Sequence, residues 1–195
     1  SYYKGFLTEK FNYETPKFEP VPKVEFDWLD LKEQESYLDK AYADCPAQYG
    51  NNDEKPIQKW DDVTTTLKDI DTSKLHYVRP PSINHIFIDF DMKDDKGNKC
   101  FAVNKQAAME WTPTYAETSK GGEGIHLHYI YNGNPDELSR MFGPGIEVKV
   151  MTGKSSIRRK LIKCNNLPIA TINDGLPLKG VKNMVNFEVV KSEKV

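Results

Sequence analysis

Three acidic residues and one histidine have the types and spacing of a metal-dependent site. Asp89 and Asp91 follow an apolar run at residues 86–88, His126 follows a glycine-rich turn, and Glu147 lies in a later apolar run. Side chains two apart on a strand leave the same face, about 7 Å apart, so the two aspartates can share divalent cations. Carboxylate oxygens select magnesium or manganese over zinc. The pattern predicts two Mg²⁺ or Mn²⁺ ions, with Glu147 completing the site, and no zinc.

A structural interpretation of the two aspartates stays open, with both as polar residues at a strand end. Two carboxylates directly after an apolar run are costly to bury without a partner, which favours the metal site. An EF-hand does not fit, because Asp94 stands where that calcium loop needs glycine.

The turn at residues 119–124 contains three glycines, so its backbone amides can point inward and cradle a phosphate. Hairpins use the same residues, so the turn alone is weak evidence. His126 and His128 share one face of the strand that follows, which puts an imidazole beside the turn. The combination predicts a site for a triphosphate.

Residues 148–173 carry six basic side chains and no acid, although the whole chain has a net charge of −2. A basic stretch close to carboxylates suits an anionic substrate that also needs a metal. The alternative is a solvated strand and loop. The six bases are Lys149, Lys154, Arg158, Arg159, Lys160 and Lys163.

The elements that must position these residues indicate an α+β fold with a mixed sheet of the ferredoxin-like or RNA-recognition-motif-like kind. An N-terminal α/β portion, residues 1–79, is expected to pack on a catalytic core at 80–195. Apolar runs and turn signals predict the element boundaries. Predicted strands are 86–88, 115–118, 125–131, 146–151, 157–163, 167–171 and 184–190; predicted helices are 28–42, 61–67, 104–111 and 135–142, after an extended arm at 1–26.

Taken in order, these motifs resemble the catalytic core of the archaeo-eukaryotic primase superfamily, in particular the primase-polymerase domains of phage and plasmid replication proteins. The first motif of that family is an apolar run that ends in two alternating acids, here Asp89 and Asp91. The second opens with Ser119 and ends in His126, and the third is the lone acid Glu147. One position departs from the pattern, since glycine follows Lys120 where relatives have serine.

The resemblance spans residues 85–165 and implies template-directed nucleotidyl transfer by a two-metal mechanism, as a DNA primase, a DNA polymerase or both. Asp89, Asp91 and Glu147 would be catalytic metal ligands. Residues implied to bind the nucleotide are Ser119, Gly122, Gly124, His126, Arg158 and Lys160. The implied partners are a single-stranded DNA template, nucleoside triphosphates and a helicase domain in a longer chain, in a bacterial host cytoplasm. Tyr115, Tyr129 and Tyr131 are candidates for stacking on template bases, with the core as the alternative.

Two other functions stay open. His126, Leu127 and His128 also spell the histidine-hydrophobic-histidine metal motif of replication-initiator endonucleases, although no tyrosine nucleophile follows Tyr131. A non-catalytic domain that binds single-stranded nucleic acid is the second. A glycosyltransferase would explain the aspartates, but not the glycine turn or the basic stretch.

The composition restricts the class of protein. The chain has 195 residues, of which 38% are hydrophobic and 29% charged, as in a globular domain with a substantial core. No apolar run reaches the roughly 18 residues that a membrane span needs. The three cysteines are far apart, which predicts neither a zinc ribbon nor disulfides and favours an intracellular protein.

Overall fold

A computed structural model describes residues 9–14, 17–20 and 26–180 of the chain. The first two segments contain β1 (Glu9–Asn12) and β2 (Lys17–Pro20), which pair antiparallel. The predicted arm at 1–26 is therefore described only in part, and the strand predicted at 184–190 lies outside the described residues. In the part of the chain that is described, no helix combines the length and apolar character of a membrane span.

The described elements from residue 26 onward are two short α-helices, three 3-10 turns and nine strands. The helices are α1 (Tyr37–Ala41) and α2 (Phe101–Ala108), and the 3-10 turns are Trp60–Asp62, Leu67–Asp69 and Pro135–Glu137. The strands are β3 (Ala47–Tyr49), β4 (His76–Val78), β5 (His85–Phe90), β6 (Ala116–Thr118), β7 (Ile125–Tyr131), β8 (Met141–Gly143), β9 (Ile146–Val150), β10 (Ile157–Arg159) and β11 (Ala170–Ile172). The α+β class is confirmed.

The larger sheet has six strands in the order β11-β7-β5-β9-β8, and β6 also pairs with β7. Its pairs are antiparallel except for β11 with β7. β5 lies between β7 and β9 and pairs with both, so its register is fixed from both sides. A shift of one residue would move every side chain of β5 to the other face.

The two faces of β5 have different roles. Ile86, Ile88 and Phe90 are fully buried on the face that packs against α2 and form the centre of the first hydrophobic core. His85 and Phe87 point to the opposite face, where both are also buried. The prediction of a strand buried on both faces at 86–88 is confirmed.

A second layer covers part of that opposite face. The small antiparallel sheet β10-β4-β3 and helix α1 enclose a second core, which includes Leu38, Val78, Phe87 and Ile157. β3 and β4 come from the first 79 residues and β10 from the later part, so strands from both parts pair in this sheet. The carboxylate of Asp89, one step further along β5, lies in a cleft instead.

The helix predicted at 28–42 is wrong over most of its length, since α1 covers only Tyr37–Ala41. Lys32 forms a β-bridge with Cys164 through two backbone hydrogen bonds of 2.9 Å, which holds the preceding chain extended. The hydroxyl of Ser36 then accepts a hydrogen bond from the amide of Asp39 and starts the helix. Tertiary pairing therefore overrides the amphipathic pattern.

Other predicted boundaries also differ. The segment at 135–142 is helical only in the 3-10 turn Pro135–Glu137, because Met141–Gly143 pairs with β9 as an edge strand. The segment at 61–67 contains the end of one 3-10 turn and the start of another. α2 starts three residues before the predicted 104, β10 stops at Arg159 and β11 begins at Ala170.

Candidate active site

Three of the four motif residues lie in one row across the sheet. Asp89 on β5 is directly opposite His126 on β7 and directly opposite Glu147 on β9. Residues paired in this way share a face, with Cβ atoms about 4.5–5.5 Å apart. The Nε2 atom of His126 is 3.3 Å from Oδ1 of Asp89. Residues 89 and 147, which are 58 positions apart in the sequence, therefore become neighbours.

Asp91 joins the row just past the end of β5. Its amide donates to the carbonyl of Gly145 at 2.8 Å, which continues the pairing with β9 by one residue. Asp89 and Asp91 both line the cleft, as two residues of the same strand face should. Lys99 approaches Asp91 to 3.9 Å.

The ionisation of Asp89 is supported by its surroundings. Burial works to raise the pKa of this carboxyl, but the neighbouring His126 and the charges of Lys149 and Lys99 outweigh burial and hold the pKa below its ordinary value. Asp89 is therefore an anion at neutral pH, as a metal ligand must be.

Glu147 is in contact with two cations. Its Oε2 atom accepts from Nε of Arg140 at 3.1 Å and lies 3.2 Å from Nζ of Lys149. Among the described residues, Asp89, Asp91 and Glu147 do not form a group whose ligand atoms all lie within 4.8 Å of one another. A divalent ion would have to replace these cations as the partner of the carboxylates.

The glycine turn is closed by Ser119. The serine hydroxyl accepts from the amide of Gly124 at 3.0 Å, and the serine carbonyl accepts from the amide of Gly122. Gly122 has φ +89°, and a Cβ on Gly124 would lie 2.7 Å from the serine hydroxyl and 2.9 Å from the carbonyl of Phe90. The amides of Ser119's next two neighbours, 120 and 121, have no hydrogen-bond partner among the described residues and border the cleft.

Asn104 joins the first two motifs and was not predicted to do so, since the sequence suggested only a helix cap. The side chain is fully buried on α2. Its Oδ1 atom accepts from the amide of Met92 at 2.7 Å, and its Nδ2 atom donates to the carbonyl of Glu123 at 2.9 Å. One amide therefore fixes the chain just after Asp91 to the glycine turn. The only signal that the sequence offers is an asparagine at the start of a predicted helix.

The cleft beside this row has a volume of about 560 Å³. Cations outnumber acids on its walls, so it suits an anionic ligand together with a metal ion. His126, Ser119 and Gly121 also border it. The charged residues of its walls are Glu54, Asp89, Asp91, Lys99, Lys120, Lys149 and Arg158.

The three consecutive bases on and after β10 lie in three different environments. Arg158 borders the cleft, where the resemblance implies a triphosphate contact. Arg159 points the other way and is fully buried. Lys160 lies beyond the end of the strand, is exposed and does not border the cleft. Strand alternation separates the two arginines, and the end of the strand separates Lys160 from Arg158.

Glu117 on β6 is directly opposite His126 and so continues the row by one strand, where it forms a buried ion pair with Arg159 through two hydrogen bonds, of 2.8 and 3.0 Å. Burial opposes ionisation of Glu117, but the charge of Arg159 and the neighbouring His128 hold its pKa well below the ordinary range. The hydroxyl of Tyr115 donates to the same carboxylate at 2.6 Å.

The three tyrosines suggested to stack on template bases are all buried, so that suggestion is wrong. The exposed fraction is 0% for Tyr115, 0% for Tyr129 and 7% for Tyr131.

A chain of two histidines extends this network. Burial lowers the pKa of both His85 and His128, so both rings are neutral at pH 7. The hydroxyl of Tyr42 is 2.6 Å from Nδ1 of His85, and Nε2 of His85 is 2.8 Å from Nδ1 of His128. If the hydroxyl of Tyr42 donates to Nδ1 of His85, then Nε2 of His85 donates to Nδ1 of His128, and the proton of the His128 ring is on its Nε2 atom. That N–H faces an oxygen of Glu117 at 3.6 Å. The opposite direction would set a lone pair against that carboxylate.

Glu117, His126 and His128 also form a group that could hold a metal ion, because their ligand atoms lie within 4.8 Å of one another. Only His126 of the three borders the cleft. Both oxygens of Glu117 already accept from the guanidinium of Arg159. A dication would therefore have to enter a buried site next to a fixed positive charge, which opposes its binding.

The chemistry of the site follows from its own residues. No protein-family model matches the chain, and no curated protein matches it significantly. The cleft has three carboxylates, those of Glu54, Asp89 and Asp91, with an imidazole, four cations and a turn with unpaired amides around them. Such a site can hold a hard divalent cation and an anionic substrate side by side.

Proposed function

We propose that this protein is a nucleotidyltransferase of the archaeo-eukaryotic primase superfamily, which copies single-stranded DNA as a primase, a polymerase or both. The observation that carries the proposal is the row of Asp89, His126 and Glu147 on three adjacent strands. Each comes from a different one of the three motifs. A coincidental resemblance would give no reason for the motifs to meet on one face.

The sheet gives independent support. β5, α2, β6, β7 and β9 follow one another along the chain, and the strands stand in the antiparallel order β6-β7-β5-β9. This succession and strand order support a ferredoxin-like or RNA-recognition-motif-like core as the proposed fold. A 3-10 turn and the edge strand β8 stand where such a core has its second helix.

Two Mg²⁺ or Mn²⁺ ions are the proposed cofactors, held by Asp89, Asp91 and Glu147. The donor set fits, since carboxylate oxygens are what these ions prefer, and Asp89 is ionised. When bound, the ions would activate the 3′-hydroxyl of the growing strand and offset charge on the leaving pyrophosphate. Lys99 and Lys149 would then be free to contact the substrate instead of the carboxylates.

The remaining residues of the cleft would bind and orient the nucleotide. His126 lies beside Asp89 and can donate to a phosphate oxygen, and Arg158 and Lys120 supply positive charge on the walls of the cleft. The free amides at 120 and 121 can donate to the same group. A triphosphate bound in this way would have its α-phosphate beside the proposed metal ligands, and such positioning is most of what phosphoryl transfer requires of a protein.

Single-stranded DNA and nucleoside triphosphates are the proposed partners, with a helicase domain in a longer replication protein of a phage or plasmid. DNA binding through phosphate contacts would weaken steeply as salt concentration rises. The proposed compartment is the cytoplasm of a bacterial host.

A second candidate, an endonuclease with a histidine-hydrophobic-histidine metal site, is favoured by the group formed by Glu117, His126 and His128. Three observations weigh against it. Arg159 occupies both oxygens of Glu117, and His128 is fully buried away from any strand of DNA. No tyrosine follows Tyr131 to serve as the nucleophile.

Incorporation of labelled nucleotides on a single-stranded template tests the proposal. The assay is run with and without an annealed primer, in Mg²⁺ or Mn²⁺, for the wild type and for the double variant Asp89→Asn, Asp91→Asn. Metal-dependent products that vanish in the variant support the proposal, and products without primer make the protein a primase. Cleavage or covalent capture of the strand would favour the endonuclease. Binding without synthesis would favour a non-catalytic domain.

A further inference from the structure

An internal carboxylate lies among the cations that would contact the nucleotide's phosphates. The two oxygens of Glu54 each contact a different cation, at 2.5 Å from Nζ of Lys120 and 2.6 Å from Nη2 of Arg158. All three side chains border the cleft. A phosphate that used both cations would need the position that this carboxylate now holds.

The backbone fixes Glu54 in that position. It has φ +58°, and no other non-glycine residue with positive φ occurs among the described residues. Its amide donates to the carbonyl of Asn51, whose side chain accepts from the amides of Asp53 and Lys55. The hydroxyl of Tyr77 donates to the carbonyl of Glu54. Four hydrogen bonds therefore hold a loop that presents one acid to two cations.

These ion pairs are strong enough to form and weak enough to be exchanged. The side chains of Glu54, Lys120 and Arg158 are 47%, 43% and 44% exposed, so solvent screens their attraction. A polyphosphate offers more charge and more acceptor oxygens than one carboxylate. It can therefore displace the carboxylate, whereas a ligand with a single negative charge competes poorly.

We infer that Glu54 is an internal counter-ion of a polyphosphate site: it neutralises Lys120 and Arg158 until a polyphosphate displaces it. The inference rests on the proposed function and names the residue that sets which anions the site accepts. Because every anion must first displace the carboxylate of Glu54, the affinity of the site for all anions is lowered. Weakly charged ligands are therefore excluded, while triphosphates still bind. Removal of this carboxylate should therefore strengthen binding.

Isothermal titration with inorganic tripolyphosphate, at low salt and without added metal, tests this inference. Wild type is compared with Glu54→Gln, which keeps the size of the side chain and removes its charge. Glu35→Gln is the matched control, since Glu35 forms an exposed ion pair with Lys40 at 2.7 Å. Because two screened ion pairs are lost, Glu54→Gln should bind about 3- to 20-fold more tightly. The control should stay within about twofold of wild type.

Two outcomes would overturn the inference, and they are distinguishable. If wild type binds tripolyphosphate, Arg158→Met weakens that binding, and Glu54→Gln binds no more tightly than wild type, then the anion site stands and the role of Glu54 is refuted. If neither wild type nor Glu54→Gln binds, the cleft is not a polyphosphate site, and the proposed function loses its nucleotide site as well. Thermal unfolding of each variant confirms that the proteins compared are folded.

Discussion

Two adjacent arginines should respond to the same substitution in opposite ways. Arg159 is buried with all its donors used, in contacts with Glu117, Asp39, Ser36 and His76. Arg158, the residue before it, is 44% exposed and borders the cleft. Arg159→Met should therefore destabilise the fold, whereas Arg158→Met should weaken nucleotide binding and leave stability nearly unchanged.

The size of the first effect follows from burial. Removal of one partner from a buried ion pair costs about 3–5 kcal/mol, because the other charge stays buried and unpaired. Glu117 would keep its hydrogen bond from Tyr115 and could take up a proton, so the lower half of that range is expected, about 3–4 kcal/mol. Replacement of both charges, as in Glu117→Gln with Arg159→Met, should cost clearly less than the sum of the single changes.

Urea denaturation followed by tryptophan fluorescence measures the free energy of unfolding of wild type, both single variants of the ion pair and the double variant. Arg158→Met is the matched control, with an expected change below about 0.5 kcal/mol. If Arg159→Met changes stability by less than about 1 kcal/mol, or the double variant is additive, the buried ion pair is not a major source of stability. Loss of nucleotide binding by Arg159→Met at full stability would instead make that residue a phosphate ligand.

Two further predictions concern the groups around the site. Asn104→Ala should lower the free energy of unfolding by about 2–3 kcal/mol, because the Met92 amide and the Glu123 carbonyl lose a buried partner. The same urea denaturation measures the change. Lys105→Ala on the same helix is the control, and an equal loss of stability there would contradict the reasoning. Burial, with the charge of Arg159, lowers the pKa of His76 to about 4, whereas the unfolded chain has the ordinary value near 6.5. The unfolded state therefore binds more protons between those values, so stability present above pH 6.5 is lost as the pH falls toward 4. His76 alone should remove about 2 kcal/mol between pH 7 and pH 5, and a His76→Gln variant with the same pH slope as wild type would refute this.

The sequence predicted the central strands well because their signals are local. The apolar run before Asp89 indicates a strand buried on both faces, and glycines mark the turn before His126. Alternation then places His126 and His128 on one face, and the structure has them there. Glu147 lies in a predicted strand, although its pairing next to Asp89 could be expected only from the resemblance.

What the sequence did not predict depends on long-range partners. The chain before α1 stays extended because Lys32 pairs with Cys164, a residue 132 positions away. Asn104 and Glu117 have no motif that marks them, since each acquires its role from residues on other elements. Glu54 likewise has no signal in the sequence, because a single acid in a polar loop resembles many others.

The most direct test of the central claim is the single-turnover rate of primer extension in Mn²⁺ for wild type, Asp89→Asn and Asp95→Asn. Asp95 is an exposed acid in the turn just after the site, so its variant makes the same chemical change outside the cleft. If Asp89 holds the catalytic metal, Asp89→Asn should lower the rate at least about 1,000-fold, while Asp95→Asn stays within about twofold of wild type. An Asp89→Asn variant that extends primers at the wild-type rate would contradict the assignment of this cleft as the active site.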